Sequence, residues 1–372
     1  MNRVRKFAFA TAFILIIAVV IIIIIIIKID FLSINLQNLD SGVPSLNKSI
    51  VPLDQIVSGG PPPDGIPSID NPKFVTVGQA NSFLSDTDLI LGFTIKNETR
   101  GYPLQILVWH EIVNDVVGET PIAVTYCPIC FTNQIFNRTL TNGQTLEFGT
   151  SGKLYNSNLV MYDRNTNSLW SQAMAQSIAG ELSGVKLERI PFDLAYWKDW
   201  KQLYPKSQVL SQETGHARPY GVDPYGNYYT NPEVLFPVAN QDNRLGLKDI
   251  IIGIENEGNY KAYTLKEVES SKVISDNIND KSITLWLVAP FLVKMFDPMI
   301  NGQILTFSYD SANQTFLDEQ THSEWNNNGE SISGQLKGSN LSRLSFDEGF
   351  WFEWVAFHPD TKVYTKQSRL LR

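Results

Sequence analysis

The chain has 372 residues, a formal net charge of −8, 43% hydrophobic and 18% charged side chains, and only two cysteines and four histidines. An acidic chain without a basic stripe excludes nucleic acid as a partner and argues against adhesion to anionic lipid. Its length leaves room for two domains.

Arg3, Arg5 and Lys6 precede an apolar run from Phe7 to Ile27. About 20 apolar residues span a bilayer core as a helix, whereas a signal peptide has a shorter apolar core closed by a small-residue cleavage site. No Ala-x-Ala follows Ile27, so residues 7–27 read as an uncleaved transmembrane signal-anchor. The basic flank keeps residues 1–6 in the cytoplasm. The expected product is a single-pass cell-membrane protein, bound to the membrane through its N-terminal helix, with the remainder extracytoplasmic. Sequons at Asn47, Asn97, Asn137, Asn313 and Asn340 agree with an exposed glycoprotein. Heavy isoleucine use points to a prokaryotic, archaeal source.

Residues 28–57 are polar and aperiodic and read as a stalk. Residues 58–87 form a Gly/Pro-rich segment beginning Ser58-Gly59-Gly60-Pro61-Pro62-Pro63-Asp64-Gly65, in its simplest reading a stiff linker. Short β-branched and aromatic runs bounded by turn residues then predict strands at Leu89–Phe93, Leu104–Trp109 and Ile122–Tyr126, and a further strand with its turn over Asn156–Asp163. A helix is expected over Asp193–Tyr204, with Asp193 as cap, Trp197, Trp200 and Tyr204 on one face, and Pro205 as the stop.

A search for repeats finds one. Gly180-Glu181-Leu182-Ser183-Gly184 matches Gly334-Gln335-Leu336-Lys337-Gly338, and at the same offset Arg189 matches Arg343, Asp193 matches Asp347, and Trp197 and Trp200 match Trp351 and Trp354. Upstream, Asp88-Leu89-Ile90-Leu91-Gly92 pairs with Asp249-Ile250-Ile251-Ile252-Gly253. The expectation is an internally duplicated, mostly β, α+β fold. Module copy 1 spans 88–209, a connector 210–248, and a degenerate copy 2 spans 249–365, each copy with antiparallel sheets and one helix. Copy 2 keeps the packing residues and lacks the reactive ones: Val288, Phe291 and Ser271 stand opposite Cys127, Cys130 and His110.

Both cysteines lie in Tyr126-Cys127-Pro128-Ile129-Cys130. Two thiolates at this spacing can share a metal ion or close a redox-active disulfide. With His110 they make a soft ligand set for copper or zinc, to which Glu111 or His216 could add. The same pair in an oxidising compartment suits a thiol–disulfide protein, or a structural pair in a non-enzymatic surface module. Haem attachment is excluded because Phe131 follows the second cysteine. The zinc deaminase spacing does not fit, and no phosphate loop or nucleophile elbow is present. The reaction, and whether the chain is an enzyme, stay open at this point.

Several long motifs carry a resemblance: the Ser58–Pro67 stretch, Trp109-His110-Glu111-Ile112-Val113-Asn114-Asp115, the Cys127/Cys130 loop, Leu159-Val160-Met161-Tyr162-Asp163-Arg164, Ser168-Leu169-Trp170-Ser171-Gln172 and Asp223-Pro224-Tyr225-Gly226-Asn227-Tyr228-Tyr229. From about Ser58 to about Val363 the chain resembles the domain-of-unknown-function 3179 family of extracytoplasmic bacterial and archaeal proteins, which brings no reaction with it. The resemblance implies that the Gly/Pro-rich stretch belongs to the domain and that Asp64 lies near the site. It also implies that Tyr155, Asn158, Tyr162 and Asp163 orient the ligands from behind.

Overall fold

A computed structural model describes residues 48–366. Segment 7–27 lies outside the described residues, and among those described no helix is long and apolar enough to cross a membrane. Strands dominate and the helices are short, which places the protein in the mostly β, α+β class.

The central sheet has the strand order Lys362–Val363, Asn259–Thr264, Ile250–Asn256, Asp347–Phe350, Thr132–Asn137, Thr120–Cys127 and Ile112–Val117. Asp347–Phe350 joins its two sides, pairing with Ile250–Asn256 and, through Glu348 opposite Asn133, with Thr132–Asn137. A second sheet runs Asp193–Tyr196, Leu89–Ile95, Glu98–Pro103, Gln208–Leu210 and Phe74–Thr76. Ile56–Ser58 pairs with Phe148–Tyr155, so the end of the segment read as a stalk is a strand of a third sheet.

The element order before residue 210 recurs after residue 249. Leu89–Ile95 pairs with Glu98–Pro103 and Asp193–Tyr196, and Ile250–Asn256 pairs with Asn259–Thr264 and Asp347–Phe350. A seven-residue helix follows each of Asp193–Tyr196 and Asp347–Phe350, namely Trp197–Leu203 and Trp351–Phe357, with Trp197, Trp200, Trp351 and Trp354 all buried. Each such side chain removes about 200 Å² from water, an upper bound of about 5 kcal/mol. Gly92 and Gly253 make room for them: a Cβ would stand 2.2 Å from the Trp200 ring at the first and 2.5 Å from the Trp354 ring at the second. The indole N–H groups are matched as well, Trp200 donating to Ser207 at 3.0 Å and Trp354 to Thr361 at 2.9 Å.

Reciprocal ion pairs tie the two series of elements together. Arg343 reaches Asp193 at 3.0 Å and Arg189 reaches Asp347 at 3.4 Å, while the Phe192 and Phe346 rings meet at 5.2 Å. Asp193 is thus an acceptor for Arg343 and for the buried Lys294, and does not cap a helix. The helix expected from Asp193 begins only at Trp197, because residues 193–196 are drawn into a strand by Leu89–Ile95. Leu104–Trp109, read as a strand, instead opens with a single helical turn, Leu104–Leu107. Pro103 fixes the turn's entry, and Leu104, Leu107 and Val108 share its buried face.

Residues 210–248 contain only one regular turn, Tyr228–Thr230. They are laid across the first series of elements by specific bonds: Trp109 Nε1 donates to the Val222 carbonyl at 3.1 Å, and Tyr228 Oη to the Ile129 carbonyl at 2.7 Å.

Candidate functional site

The hairpin Thr120–Cys127/Thr132–Asn137 puts Cys127 opposite Thr132 at the end of its ladder, with Pro128, Ile129 and Cys130 forming the turn. Phe131 closes the turn at φ 56°, a left-handed conformation that costs a non-glycine residue about 1–2 kcal/mol and is held by the ladder on either side. The Cys130 amide donates to the Cys127 carbonyl at 3.3 Å, and the Phe350 amide to the Cys130 carbonyl at 2.9 Å. Both thiols are free and buried.

Their environments differ. Burial pushes the Cys127 thiol well up, and its hydrogen bond and charge interaction with Cys130, together with the nearby Glu111, add to the rise. Burial would also raise Cys130, but hydrogen bonds from Cys127, Thr132 and Asn158 outweigh it and hold this thiol below its ordinary range. Cys130 is therefore the more readily ionised of the two; as a thiol it donates to the Cys127 carbonyl at 3.7 Å, and as a thiolate it would accept from the Cys127 thiol.

Behind Cys130 lies a fully buried polar network. Asn158 Nδ2 is 3.3 Å from Cys130 Sγ, 3.1 Å from Gln172 Oε1 and 3.1 Å from Glu353 Oε1. Asn158 Oδ1 accepts from the Ala173 amide at 3.0 Å, which fixes the amide's orientation. Two hydrogens thus face three acceptors, and a second negative charge beside the Cys130 thiolate would be left underserved. Glu353 accordingly has its carboxyl pushed well up, first by burial and then by the charge of Cys130.

In front of Cys127 is a cavity of about 260 Å³, lined by apolar side chains including Ile66, Leu154, Leu159 and Phe236, with Glu111 beside the sulfur and Lys153 also contributing. Glu111 follows the short helix in a left-handed conformation, φ 59°, with its amide donating to the Leu107 carbonyl at 2.7 Å. Burial alone pushes its carboxyl up to about 8. A carboxyl in that range can give or take a proton near neutral pH.

His110 does not join this group. Its Nδ1 meets the Pro67 carbonyl at 2.7 Å and its Nε2 meets Tyr220 Oη at 2.6 Å, so both nitrogens are engaged, and burial lowers its pKa to about 4. The His216 ring lies 5.5 Å from that of His110, between centroids, and not at the thiols. Among the described residues no group of three or more His, Cys, Asp or Glu side chains is placed to hold a metal ion. The donor set at the turn is two sulfurs, which fits a two-coordinate soft ion and falls short of a four-ligand zinc site.

Of the four residues expected behind the ligands, Asn158 alone bonds to a cysteine. Asp163 accepts from Trp170 Nε1 at 2.8 Å and from Thr166, just as Asp318 accepts from Trp325 at 3.0 Å and from Thr321, so it anchors a turn found in both series. Tyr155 packs on Phe357. Tyr162 donates to Asp64, which is also paired with Arg164 at 3.1 Å; Arg164 bonds Asp70 and Glu147 as well, forming a separate surface network. Thr132 and Glu353 were missed by sequence reasoning. Glu353 had a readable signal, a lone carboxylate within Trp351-Phe352-Glu353-Trp354-Val355-Ala356.

No curated protein and no solved structure matches the chain. A family model matches residues 63–361, which include the turn, the network behind it and the cavity lining from Ile66 onward. The chain belongs to the family described as Protein of unknown function (DUF3179).

Proposed function

We propose that Cys127 and Cys130 form a dithiol–disulfide redox centre in a membrane-anchored, extracytoplasmic protein. The observation that carries this reading is the split environment of two free, mutually hydrogen-bonded thiols: Cys127 at a cavity and Cys130 held as the acidic partner by Asn158 and Thr132. In the forward step the Cys127 proton passes to the Cys130 thiolate, and the Cys127 thiolate attacks one sulfur of a substrate disulfide. A Cys127 mixed disulfide forms, and the released thiolate takes the Glu111 proton. Cys130 then loses its proton and attacks the Cys127 sulfur, expelling the second thiolate, which takes up that proton. Two thiols become one disulfide, the substrate disulfide becomes two thiols, and the negative charge moves from Cys130 to Glu111.

We also infer that the two series of elements are copies of one module, degenerate in the second. Shared backbone supports this: Glu111 and Lys272 are both left-handed, as are Phe131 and Phe291, at matching places in the two hairpins. The strand beginning Leu292 aligns with that beginning Thr132, so Pro290 stands opposite Cys130, where the uniform offset used on the sequence had placed Phe291. The conformation recurs without the chemistry, which argues that the thiols serve function and not folding.

A second reading has its own support. The backbone amides of Cys130 and Thr132 favour the ionised form of Cys127 and Cys130 respectively, an arrangement that also stabilises thiolates bound to copper or zinc. One experiment separates the two. The full chain is equilibrated in glutathione buffers of graded potential, its free thiols are counted by mass after alkylation, and metal is measured in the same sample. Loss of both thiols in one two-electron step, without metal, supports the dithiol reading. Stoichiometric copper or zinc protecting both thiols replaces it with the metal reading, and two inert, metal-free thiols would eliminate both.

A further inference from the structure

The motif Asp223-Pro224-Tyr225-Gly226-Asn227-Tyr228-Tyr229 takes no part in the exchange steps, yet the fold lays it against the thiol turn. Asp223 Oδ1 accepts from the Tyr225 amide at 2.8 Å, and the Tyr228 amide bonds back to the Tyr225 carbonyl at 3.0 Å. Tyr228 fastens this segment to the Ile129 carbonyl, with Lys248 Nζ 3.3 Å from the centroid of its ring. Tyr225 is thereby brought to the cavity in front of Cys127, whose lining it shares with Glu111 and Cys127. Its hydroxyl is the end that faces the site. Burial pushes the phenol well up, and the charges that act on it next are, in order, Glu111, Cys127, Asp223 and Cys130. Charge interactions weaken with distance, so the two leading partners set the hydroxyl at the cavity, beside the carboxyl and the first sulfur. It makes no hydrogen bond among the described residues. A donor without a partner in a poorly solvated place costs stability, and it is useful where an arriving acceptor takes it up.

We infer that Tyr225 is a further catalytic residue, its O–H donating to the departing sulfur of an alkyl disulfide held over Cys127. The inference rests on the dithiol reading and adds a residue and a substrate class to that site. As the bond from Cys127 Sγ to the near sulfur forms, the substrate sulfur–sulfur bond breaks and its electron pair moves onto the far sulfur. Tyr225 hydrogen-bonds that growing charge, and Glu111 supplies the proton that neutralises it. The phenol keeps its own proton, because burial makes it a far weaker acid than the Glu111 carboxyl. Such a donor acts where charge develops, so its effect follows the basicity of the leaving group. Alkyl thiolates are basic and leave poorly, and they gain most from it. Aryl thiolates disperse their charge and gain little.

The test compares the reduced full chain with its Tyr225→Phe variant, each oxidised by two neutral disulfides: dithiodipyridine, with an aryl leaving group, and hydroxyethyl disulfide, with an alkyl one. Each rate constant is divided by that of the same reagent with free glutathione, which removes intrinsic reactivity. Tyr225→Phe should slow the alkyl reagent roughly tenfold or more, the worth of a hydrogen bond to a charged group, and leave the aryl reagent within about twofold. The melting temperature should not fall, because the hydroxyl bonds to nothing in the fold. A purely structural tyrosine would slow both reagents alike. Equal slowing of the two, or an unchanged alkyl rate, would overturn the inference while leaving the dithiol reading intact. Failure of both reagents to produce the Cys127–Cys130 disulfide in the unmodified chain would overturn both.

Discussion

Replacing Asn158 with alanine removes an amide that reaches Cys130, Gln172 and Glu353 together. A hydrogen bond to a charged group is worth about 1.5–3 kcal/mol. Losing the bond to Cys130 should therefore cut the thiolate population roughly ten- to a hundred-fold at a pH below the titration of Cys130. Burial keeps pushing that thiol up once the donor is gone. The ultraviolet absorbance of the thiolate, titrated against pH on a Cys127→Ser background, reads the ionised sulfur without a reagent having to reach it behind the turn. The same change orphans the Ala173 amide and the Gln172 carbonyl, so a stability loss of about 1–3 kcal/mol should accompany it. An Asn158→Ala protein with the full stability loss and an unchanged thiolate titration would refute the assignment of Asn158 as the group that acidifies Cys130.

Three further outcomes follow from the same geometry. Glu111 has its folded pKa raised to about 8 from 4.5, so folding requires it to stay protonated while the unfolded chain ionises; its contribution is full below pH 4.5 and is lost as pH rises to about 8. Denaturant melts of Glu111→Gln should therefore show a stability gain near pH 7 of up to about 3 kcal/mol that vanishes below pH 4.5. His110 runs the other way: its folded pKa is depressed to about 4 from 6.5, so it contributes above pH 6.5 and that contribution is lost as pH falls to about 4. Acid melts of His110→Gln should lack this component. Asp193→Ala strands Lys294 and Arg343 and should cost about 3–5 kcal/mol in thermal or chemical melts, far more than an exposed pair.

Much of this architecture was readable because local signals and tertiary packing agree. The glycines of Asp88–Gly92 and Asp249–Gly253 sit beneath tryptophans that the repeat had already paired, and the aromatic faces of residues 197–200 and 351–354 are buried as their spacing required. The strand leading into Cys127 was legible for the same reason, whereas its hairpin partner Thr132–Asn137 was not predicted. Pairings across the chain were not: nothing in the period-2 pattern of residues 347–350 says that they bridge Ile250–Asn256 to Thr132–Asn137. His110 misled because it stands close to the cysteines in sequence, yet its ring is turned to Pro67 and Tyr220. Glu353 escaped because periodicity assigns it to a packing helix, and only the unusual presence of a carboxylate there signals the network behind Cys130.

The relation between the two sulfurs is the centre of the account, and mixed-disulfide trapping addresses it most directly. A Cys130→Ser full chain exposed to dithiodipyridine should accumulate a stable adduct on Cys127, because the sulfur at the cavity is attacked and the resolving thiol is missing. In Cys127→Ser, Cys130 should stay largely unmodified behind the turn. Faster adduct formation on Cys130 than on Cys127 would contradict the assigned roles and the orientation of the site.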